Sequence, residues 1–340
     1  MLHRFRYLLR LIGRLNYKAM LAKARLIHAK TKTPTLFILI DMLYCGARYG
    51  AGYMDYTVLE FYRLSGRQRD TFLTRGRSNR LVRALNDRAQ WHWLEDKPTF
   101  LTRFSTYLGR EWIDLTRADV QQFADFCIGK DRIIVKPVDG DGGTGVDCVL
   151  LDENTDYTAL YADLIKNKQT LCEEYVVQHP VLSGIYPGSV NTLRIVTVLR
   201  KDGGVDITRC LIRIGAGGVV DNISSGGMAA LLDPETGEII RPAHDKNGVS
   251  HTHHPITGAP IVGVVVPMFD RVLAMVKEAA HEVPAIRYTA WDVAVCEQGP
   301  VFIEANQYPG HEIQQLPPHL TDNTGMWPVY KSYMTDAKAP

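Results

Sequence analysis

The chain has 340 residues, of which 46% are hydrophobic and 22% charged, the ordinary composition of a globular protein rather than a disordered or fibrous one. Its formal net charge of +2 gives no electrostatic preference for nucleic acid, so we expect no nucleic-acid partner. The six cysteines form no C-x-x-C pair, and no apolar run reaches the roughly 18 to 20 residues of a membrane span; both features predict a cytoplasmic protein.

The first 90 residues or so are predicted to be helical. Apolar residues recur at helical spacing from Leu2 to Leu15. Nine Lys or Arg residues and no acidic residue precede Asp41. This basic amphipathic pattern has two interpretations. The segment packs against the rest of the protein, or residues 1–30 make a peripheral contact with the anionic inner face of the membrane.

Strand signals begin after Lys130. A β-branched run at 131–136 is followed by a glycine-rich segment and by a second strand at 146–151. Further strands are predicted at 169–177, 192–200, 206–214, 289–296 and 301–305, with helices at 157–167 and 268–282. Antiparallel strand pairs with long helices before and between them predict an α+β fold.

The glycine-rich segment at 139–145 is not a dinucleotide fingerprint, which should open a helix, because a strand follows it. It is not a Walker loop either, since Lys136 precedes the glycines. Two interpretations remain: a surface turn beside an exposed lysine, or a loop whose backbone amides fold over phosphates while the lysine supplies a point charge. The residues of the second interpretation are Lys136, Gly140, Gly142, Gly143, Thr144 and Gly145.

The last two predicted strands bring oxygen ligands together. Pairing Val295 with Val301 across the turn sets Asp292 opposite Glu304, and the period of two places Asn306 on the same face as Glu304. Two carboxylates and an amide oxygen suit magnesium, so we predict Mg²⁺ at these three residues. The alternative is an acidic pair on a solvated sheet face, although opposed like charges destabilise a sheet unless something neutralises them.

Arg194 lies in the apolar run Thr192-Leu193-Arg194-Ile195-Val196. An arginine in such a strand needs an anionic partner. The partner is either a γ-phosphate or acyl phosphate, which would make Arg194 a catalytic residue together with Lys136, or a carboxylate in a buried salt bridge.

The order of these features resembles that of ATP-grasp proteins: Lys136 with its glycine loop, then 172–176, Arg194, Asp292 and Glu304-Ala305-Asn306. The resemblance is closest to the sugar-transfer-associated branch. The segments that carry it are 189–194, Asp221-Asn222 with Gly226-Gly227, 291–293 and 302–306, and it covers about residues 90 to 330.

The resemblance implies two α+β lobes that close on ATP, preceded by a helical N-terminal region. The corresponding domains are 1–90, a small lobe at 91–170 and a large lobe at 171–335 that carries the metal site. It also implies that Lys97 joins Lys136 at the phosphates and that Asn222 lies near them. The hinge that meets adenine would be Glu173, Glu174, Tyr175 and Val176. The ribose contact has no assigned residue, because Gln178-His179-Pro180 replaces the acidic residue expected there.

These features predict an ATP- and Mg²⁺-dependent carboxylate ligase. In such an enzyme a carboxylate is phosphorylated by ATP, and an amine, hydroxyl or thiol then displaces phosphate from the acyl phosphate. The resemblance suggests a role in polysaccharide or cell-surface glycan biosynthesis. Two alternatives stay open: a small-molecule kinase that stops after phosphorylating a hydroxyl, and a non-catalytic nucleotide-binding subunit of a polysaccharide-assembly complex.

Overall fold

The computed structural model describes residues 16–140 and 142–336. The chain forms two compact units, one of residues up to Ala84 together with those from Gly310 onward, the other of Leu85–Pro309. The helical N-terminal region is confirmed over its described part, whereas the amphipathic segment from Leu2 to Leu15 lies outside the described residues. The lobe boundaries inferred from the sequence stay a prediction.

The first unit is built from helices. Asn16 caps the first helix by accepting a hydrogen bond from the backbone N–H of Ala19 at 3.0 Å, and Lys32 ends it with a left-handed φ of 63°. Packed aromatic rings, among them Phe61 and Phe72, form the centre of this unit. Its helices are α1 (Tyr17–Thr31), α2 (Thr35–Tyr49), α3 (Tyr53–Val58), α4 (Gly66–Arg69), α5 (Arg75–Leu85) and α12 (Trp327–Asp336).

The second unit contains a four-stranded antiparallel sheet of order β1-β4-β2-β3. Burial alternates along β2, so Ile133 and Val135 face the core while Lys136 lies on the opposite face. Two helices, α8 and α9, cover the apolar face. The elements are β1 (Trp112–Asp114), α8 (Val120–Cys127), β2 (Arg132–Lys136), β3 (Asp147–Leu150), α9 (Tyr157–Lys166) and β4 (Leu171–Glu174).

A seven-stranded antiparallel sheet of order β11-β10-β5-β6-β7-β8-β9 forms the rest of the second unit. All residues of β5 and β10 are buried, because α11 and neighbouring segments cover this part of the sheet. The strands are β5 (Leu193–Leu199), β6 (Val205–Ile214), β7 (Met228–Leu231), β8 (Ala243–Asp245), β9 (Ser250–His251), β10 (Tyr288–Val295) and β11 (Pro300–Asn306). The helices are α6 (His92–Glu95), α7 (Lys97–Arg103), α10 (Pro180–Ile185) and α11 (Phe269–Ala279).

Within residues 16–140 and 142–336, no helix combines the length and the apolar character that a transmembrane span requires.

Candidate functional site

The glycine loop follows β2 directly and is held by Lys97. Gly140, Gly142 and Gly143 have φ values of 138°, 69° and 79°, backbone conformations that favour glycine. Lys97 begins α7, and its Nζ donates hydrogen bonds to the carbonyl oxygens of Val138 at 2.7 Å and Gly140 at 2.9 Å. Lys97, which the family resemblance assigns to phosphates, therefore binds the backbone of the glycine loop.

A second polar loop, residues 220–225, lies against the glycine loop. The Ser225 hydroxyl donates to the carbonyl oxygen of Gly142 at 3.3 Å. A Cβ atom on Gly143 would stand 3.2 Å from Nδ2 of Asn222, so this glycine permits the close approach of the two loops. Arg213 donates to Oδ1 of Asn222 at 2.7 Å and fixes its orientation.

Glu173, in β4, is buried between two cations. Its carboxylate forms a salt bridge with Lys136 and another with Arg110, whose Nη2 lies 2.8 Å from Oε2. Burial by itself raises the pKa of Glu173, but these two neighbours outweigh it and hold the pKa at about 2. We call these three residues the Glu173 cluster. They fix the Lys136 ammonium at the end of β2, and the role of Glu173 beside adenine stays a prediction.

The pairing of Asp292 with Glu304 is present in the β10–β11 hairpin. The predicted register at the turn is wrong by one residue, since Val295 pairs with Pro300 rather than Val301. A β-bulge between Asp292 and Val293 adds one residue to β11 and restores the predicted pair.

Two arginines neutralise Asp292, which is fully buried. Arg194 forms a bidentate salt bridge, with Nη2 2.8 Å from Oδ2, and Nη2 of Arg213 lies 3.0 Å from the same oxygen. The buried salt bridge considered for Arg194 is therefore present. We call Asp292, Arg194 and Arg213 the Asp292 cluster. Arg213 also lies 3.2 Å from Asp221, whose Oδ2 accepts a hydrogen bond from the backbone N–H of Thr192 at 2.9 Å.

Glu304 faces the Asp292 cluster from β11. Burial and the nearby Asp292 carboxylate raise the pKa of Glu304, and the two arginines offset only part of that shift. Asn306 donates from Nδ2 to Oε1 of Glu304 at 3.3 Å, which places an amide beside the two acids. Because a divalent cation would relieve the repulsion between the acids, this set of carboxylate and amide oxygens fits magnesium. Asp292 is already paired with arginines, so Glu304 and Asn306 are the more accessible ligands.

A cavity of about 500 Å³ brings most of the predicted site residues together. Sequence reasoning missed Glu95 and Gln307, which are hydrogen-bonded to each other on its wall. The predicted residues that line it are Lys97, Lys136, Gly140, Gly142, Glu173, Arg194, Asn222, Glu304 and Asn306. The remaining predicted residues, all described in the structure, do not line this cavity: Gly143, Thr144, Gly145, Glu174, Tyr175, Val176 and Asp292.

The model of one protein family, described as sugar-transfer associated ATP-grasp, matches residues 76–321. The chain belongs to this family. The predicted resemblance to ATP-grasp proteins and the predicted α+β ATP-grasp fold are confirmed. No curated protein matches the chain.

Several solved structures share features with this sugar-transfer associated ATP-grasp protein at low identity. D-cycloserine synthetase DcsG has 11% identity and a TM-score of 0.45, with 75% of this chain and 74% of DcsG covered. The ATP-grasp ligase PsnB with its minimal precursor has 11% identity and a TM-score of 0.42, with 74% and 64% covered. D-alanine-D-alanine ligase from Helicobacter pylori has 11% identity and a TM-score of 0.42, with 74% of this chain and 62% of the ligase covered. The chain thus spans less than two thirds of the last two proteins, and likenesses this distant do not extend to the reaction.

Proposed function

We propose that the protein joins a carboxylate to a nucleophile at the expense of ATP, through an acyl phosphate. The observation that supports this reaction is the division of charge around one cavity. Lys136, Lys97 and the glycine loop form a cationic wall that suits phosphates, and Glu304 with Asn306 forms a wall of oxygen ligands that suits a divalent cation.

The chain's own residues divide the work of phosphoryl transfer. Lys136, held in place by the Glu173 cluster, neutralises phosphate oxygens, while the amides of the glycine loop donate to them. Arg194 lines the cavity; its Nε and Nη2 hold Asp292, and the third guanidinium nitrogen, Nη1, stabilises the charge that develops on the transferring group. Adenine binds at 173–176, the end of β4 and the two residues that follow it. Magnesium would be held by Glu304 and Asn306, with Asp292 beside them, and would supply Lewis-acid neutralisation of the phosphates.

The chemistry balances in two displacements. An oxygen of the substrate carboxylate attacks the γ-phosphorus of ATP, and the bond to the β-phosphate oxygen breaks to release ADP. The nucleophile then attacks the acyl carbon, the bond to the phosphate oxygen breaks, and inorganic phosphate leaves. The loops at 140–145 and 220–225, joined by the Ser225 hydrogen bond, shield the acyl phosphate from water between the two steps.

We place the acceptor in polysaccharide or cell-surface glycan biosynthesis, which the family description supports through its mention of sugar transfer. A glycan precursor offers both chemical partners, because uronic and amino-sugar acids carry carboxylates and sugar amines and hydroxyls are nucleophiles.

Hydroxylamine trapping tests the reaction. With ATP, magnesium and a panel of amino and sugar acids, the protein should form ADP, phosphate and a hydroxamate of its true substrate. The variant Lys136→Ala should lose all three products together, whereas Lys166→Ala, which removes an exposed lysine of α9, should retain them.

Two other outcomes would replace the proposal. Accumulation of a stable phosphorylated hydroxyl compound, with no hydroxamate from any acid, would identify a kinase. ATP binding without turnover in the presence of every acceptor would identify a nucleotide-binding subunit.

A further inference from the structure

Helix α2 is apolar on the side that faces its own unit and on the side that faces outward. Ile38, Met42 and Cys45 are buried in the helical unit. The outward residues are equally apolar, and two of them, Leu36 and Phe37, are 66% and 64% exposed. The outward face of α2 consists of Leu36, Phe37, Ile40, Leu43, Tyr44 and Ala47, all of which are exposed.

These residues form one continuous surface. At 100° per residue they occupy an arc of about 120°, and no polar side chain falls within that arc before Arg48 at its edge. A helix on the surface of a globular protein normally presents polar residues outward. A contiguous exposed apolar face of this kind marks a surface that contacts a protein or a membrane.

Exposed cations lie on α1, the helix that contacts α2. Exposed basic side chains follow along α1 and the turn after it: Lys18, Arg25, Lys30 and Lys32. The nearest acid, Asp41, is engaged by Arg69 at 2.7 Å and by the hydroxyl of Tyr56. Ten of the 39 Lys and Arg residues, but one of the 37 acidic residues, lie in the first 54 positions, so the small net charge of the whole chain conceals a strongly basic region.

An open hollow continues this surface on the side of Tyr44. Arg48 and Arg67 line it, and its one acidic residue, Asp70, is paired with Arg77 at 2.6 Å. Two exposed guanidinium groups beside an exposed aromatic ring suit a phosphate group at the boundary between water and apolar material.

We infer that the outward face of α2 lies on the surface of an anionic phospholipid bilayer, with the basic side chains of α1 and the hollow at the headgroups. The 15 residues of α2 extend about 22 Å, which suits a helix lying in the interface plane. The cations distinguish lipid from a second copy of the chain, because a symmetric dimer through this face would bring like charges together. Anionic lipid adds an electrostatic attraction for each basic residue near the surface.

Co-sedimentation of the full chain with vesicles tests this inference. One set of vesicles is phosphatidylcholine alone, and the other contains about one third phosphatidylglycerol. We expect the full chain to bind the anionic vesicles and to be released as salt rises from about 0.1 M to 0.5 M. The double variant Leu36→Glu/Phe37→Glu should weaken the partition coefficient by at least about tenfold. Arg48→Glu/Arg67→Glu should weaken binding to the anionic vesicles only.

Ile128→Glu/Ile256→Glu is the matched control, because these isoleucines are 71% and 61% exposed and lie outside the helical unit. It should bind vesicles like the unaltered chain. Circular dichroism and ATP turnover should be the same in all variants, since none of the altered residues lies in the nucleotide site. Absence of vesicle binding, or equal binding by Leu36→Glu/Phe37→Glu, overturns the inference. A concentration-dependent dimer that this variant dissociates, without vesicle binding, would assign the face to a second copy instead.

Discussion

The two buried charge clusters at the cavity share a design but differ in the charge of the residues around them. Each centres on a carboxylate that two cations flank. The Glu173 cluster keeps one cation in excess, and the pKa of its carboxyl is lowered to about 2. At the Asp292 cluster the neighbouring acids Asp221 and Glu304 bring the number of acids to three against two arginines, and the pKa of Glu304 is raised.

The difference shows how one cavity can attract ions of both signs. The excess cation at Lys136 is available to a phosphate without leaving Glu173 unpaired, because Arg110 remains bound to that acid. The excess acid at Glu304 is available to a metal for the reciprocal reason, since two arginines already neutralise Asp292. Single substitutions can therefore alter one side of the cavity at a time.

Glu304→Gln tests the acidic side. We expect turnover to fall by about a thousandfold, or ~4 kcal/mol, because the variant loses the charge that holds magnesium at the phosphates. Its melting temperature without magnesium should be equal or higher, since glutamine removes the repulsion with Asp292. Glu235→Gln, at an exposed turn, is the control and should behave like the unaltered chain. Near-normal turnover by Glu304→Gln would show that the acid does not serve the reaction.

Arg213→Met tests the ion pairs that Arg213 forms with Asp292 and Asp221. Asp292 would keep one arginine and Asp221 would lose its cation, so we expect a destabilisation of about 3–5 kcal/mol in urea unfolding. The double variant Arg213→Met/Asp292→Asn should be destabilised by less than the sum of the two single variants. The reason is that Asp292→Asn removes the negative charge that Arg213→Met leaves less well neutralised. Arg241→Met, at an exposed position, is the control. Strict additivity would mean that Arg213 and Asp292 are not coupled.

Part of the Asp292 cluster and its hairpin could be predicted from the sequence. The pair of Asp292 and Glu304 was predictable, since strand periodicity and a short turn restrict the register. The bulge beside Val293 was not, because the residues around it carry no distinct signal. Arg213 was missed although it lies in an apolar strand like Arg194, so the same reasoning would have found it.

The Glu173 cluster could not be read from sequence. Arg110 lies 63 positions before Glu173, outside any regular element, and its contact depends on how the chain folds back onto β4. Local patterns indicate which strand a residue occupies, but they do not indicate which distant side chain neutralises it. The helical N-terminal region was predicted from periodicity, whereas the apolar outward face of α2 became visible only when burial was known.

The pH dependence of stability should have opposite signs at the two clusters. The pKa of Glu173 lies at about 2 in the folded chain, below its ordinary value of 4.5, so its ion pairs stabilise above pH 4.5 and are lost as pH falls towards 2. The stability lost is on the order of 3 kcal/mol. Glu304 has a raised pKa, so its ionised form destabilises the folded chain; the penalty grows as pH rises above the ordinary value of 4.5 and is complete once pH exceeds the raised pKa.

Urea unfolding from pH 3 to pH 8 measures both effects. The stability difference between the unaltered chain and Glu173→Gln should shrink as the solution is made acidic. The difference in the free energy of unfolding between Glu304→Gln and the unaltered chain should also shrink as the solution is made acidic. Here, however, the variant is the more stable of the two proteins. Parallel pH profiles for all three proteins would refute the assignment of the two clusters.

The smallest expected effect concerns the contact of the two loops over the cavity. Gly143→Ala places a Cβ 3.1 Å from Cγ1 of Val220 and 3.2 Å from Nδ2 of Asn222, so the 220–225 loop must move by a few tenths of an ångström. We expect KM for ATP to rise about fivefold, which is ~1 kcal/mol. Gly129→Ala is the matched control: its φ of 77° is almost the same as the 79° of Gly143, and a Cβ there meets nothing within 4 Å. Both variants carry the cost of a left-handed alanine, about 1–2 kcal/mol, so their melting temperatures should fall alike. Only Gly143→Ala should change KM, because only that alanine displaces the loop that holds Asn222 at the cavity. Equal KM values for the two variants would mean that the loops do not act together on the nucleotide.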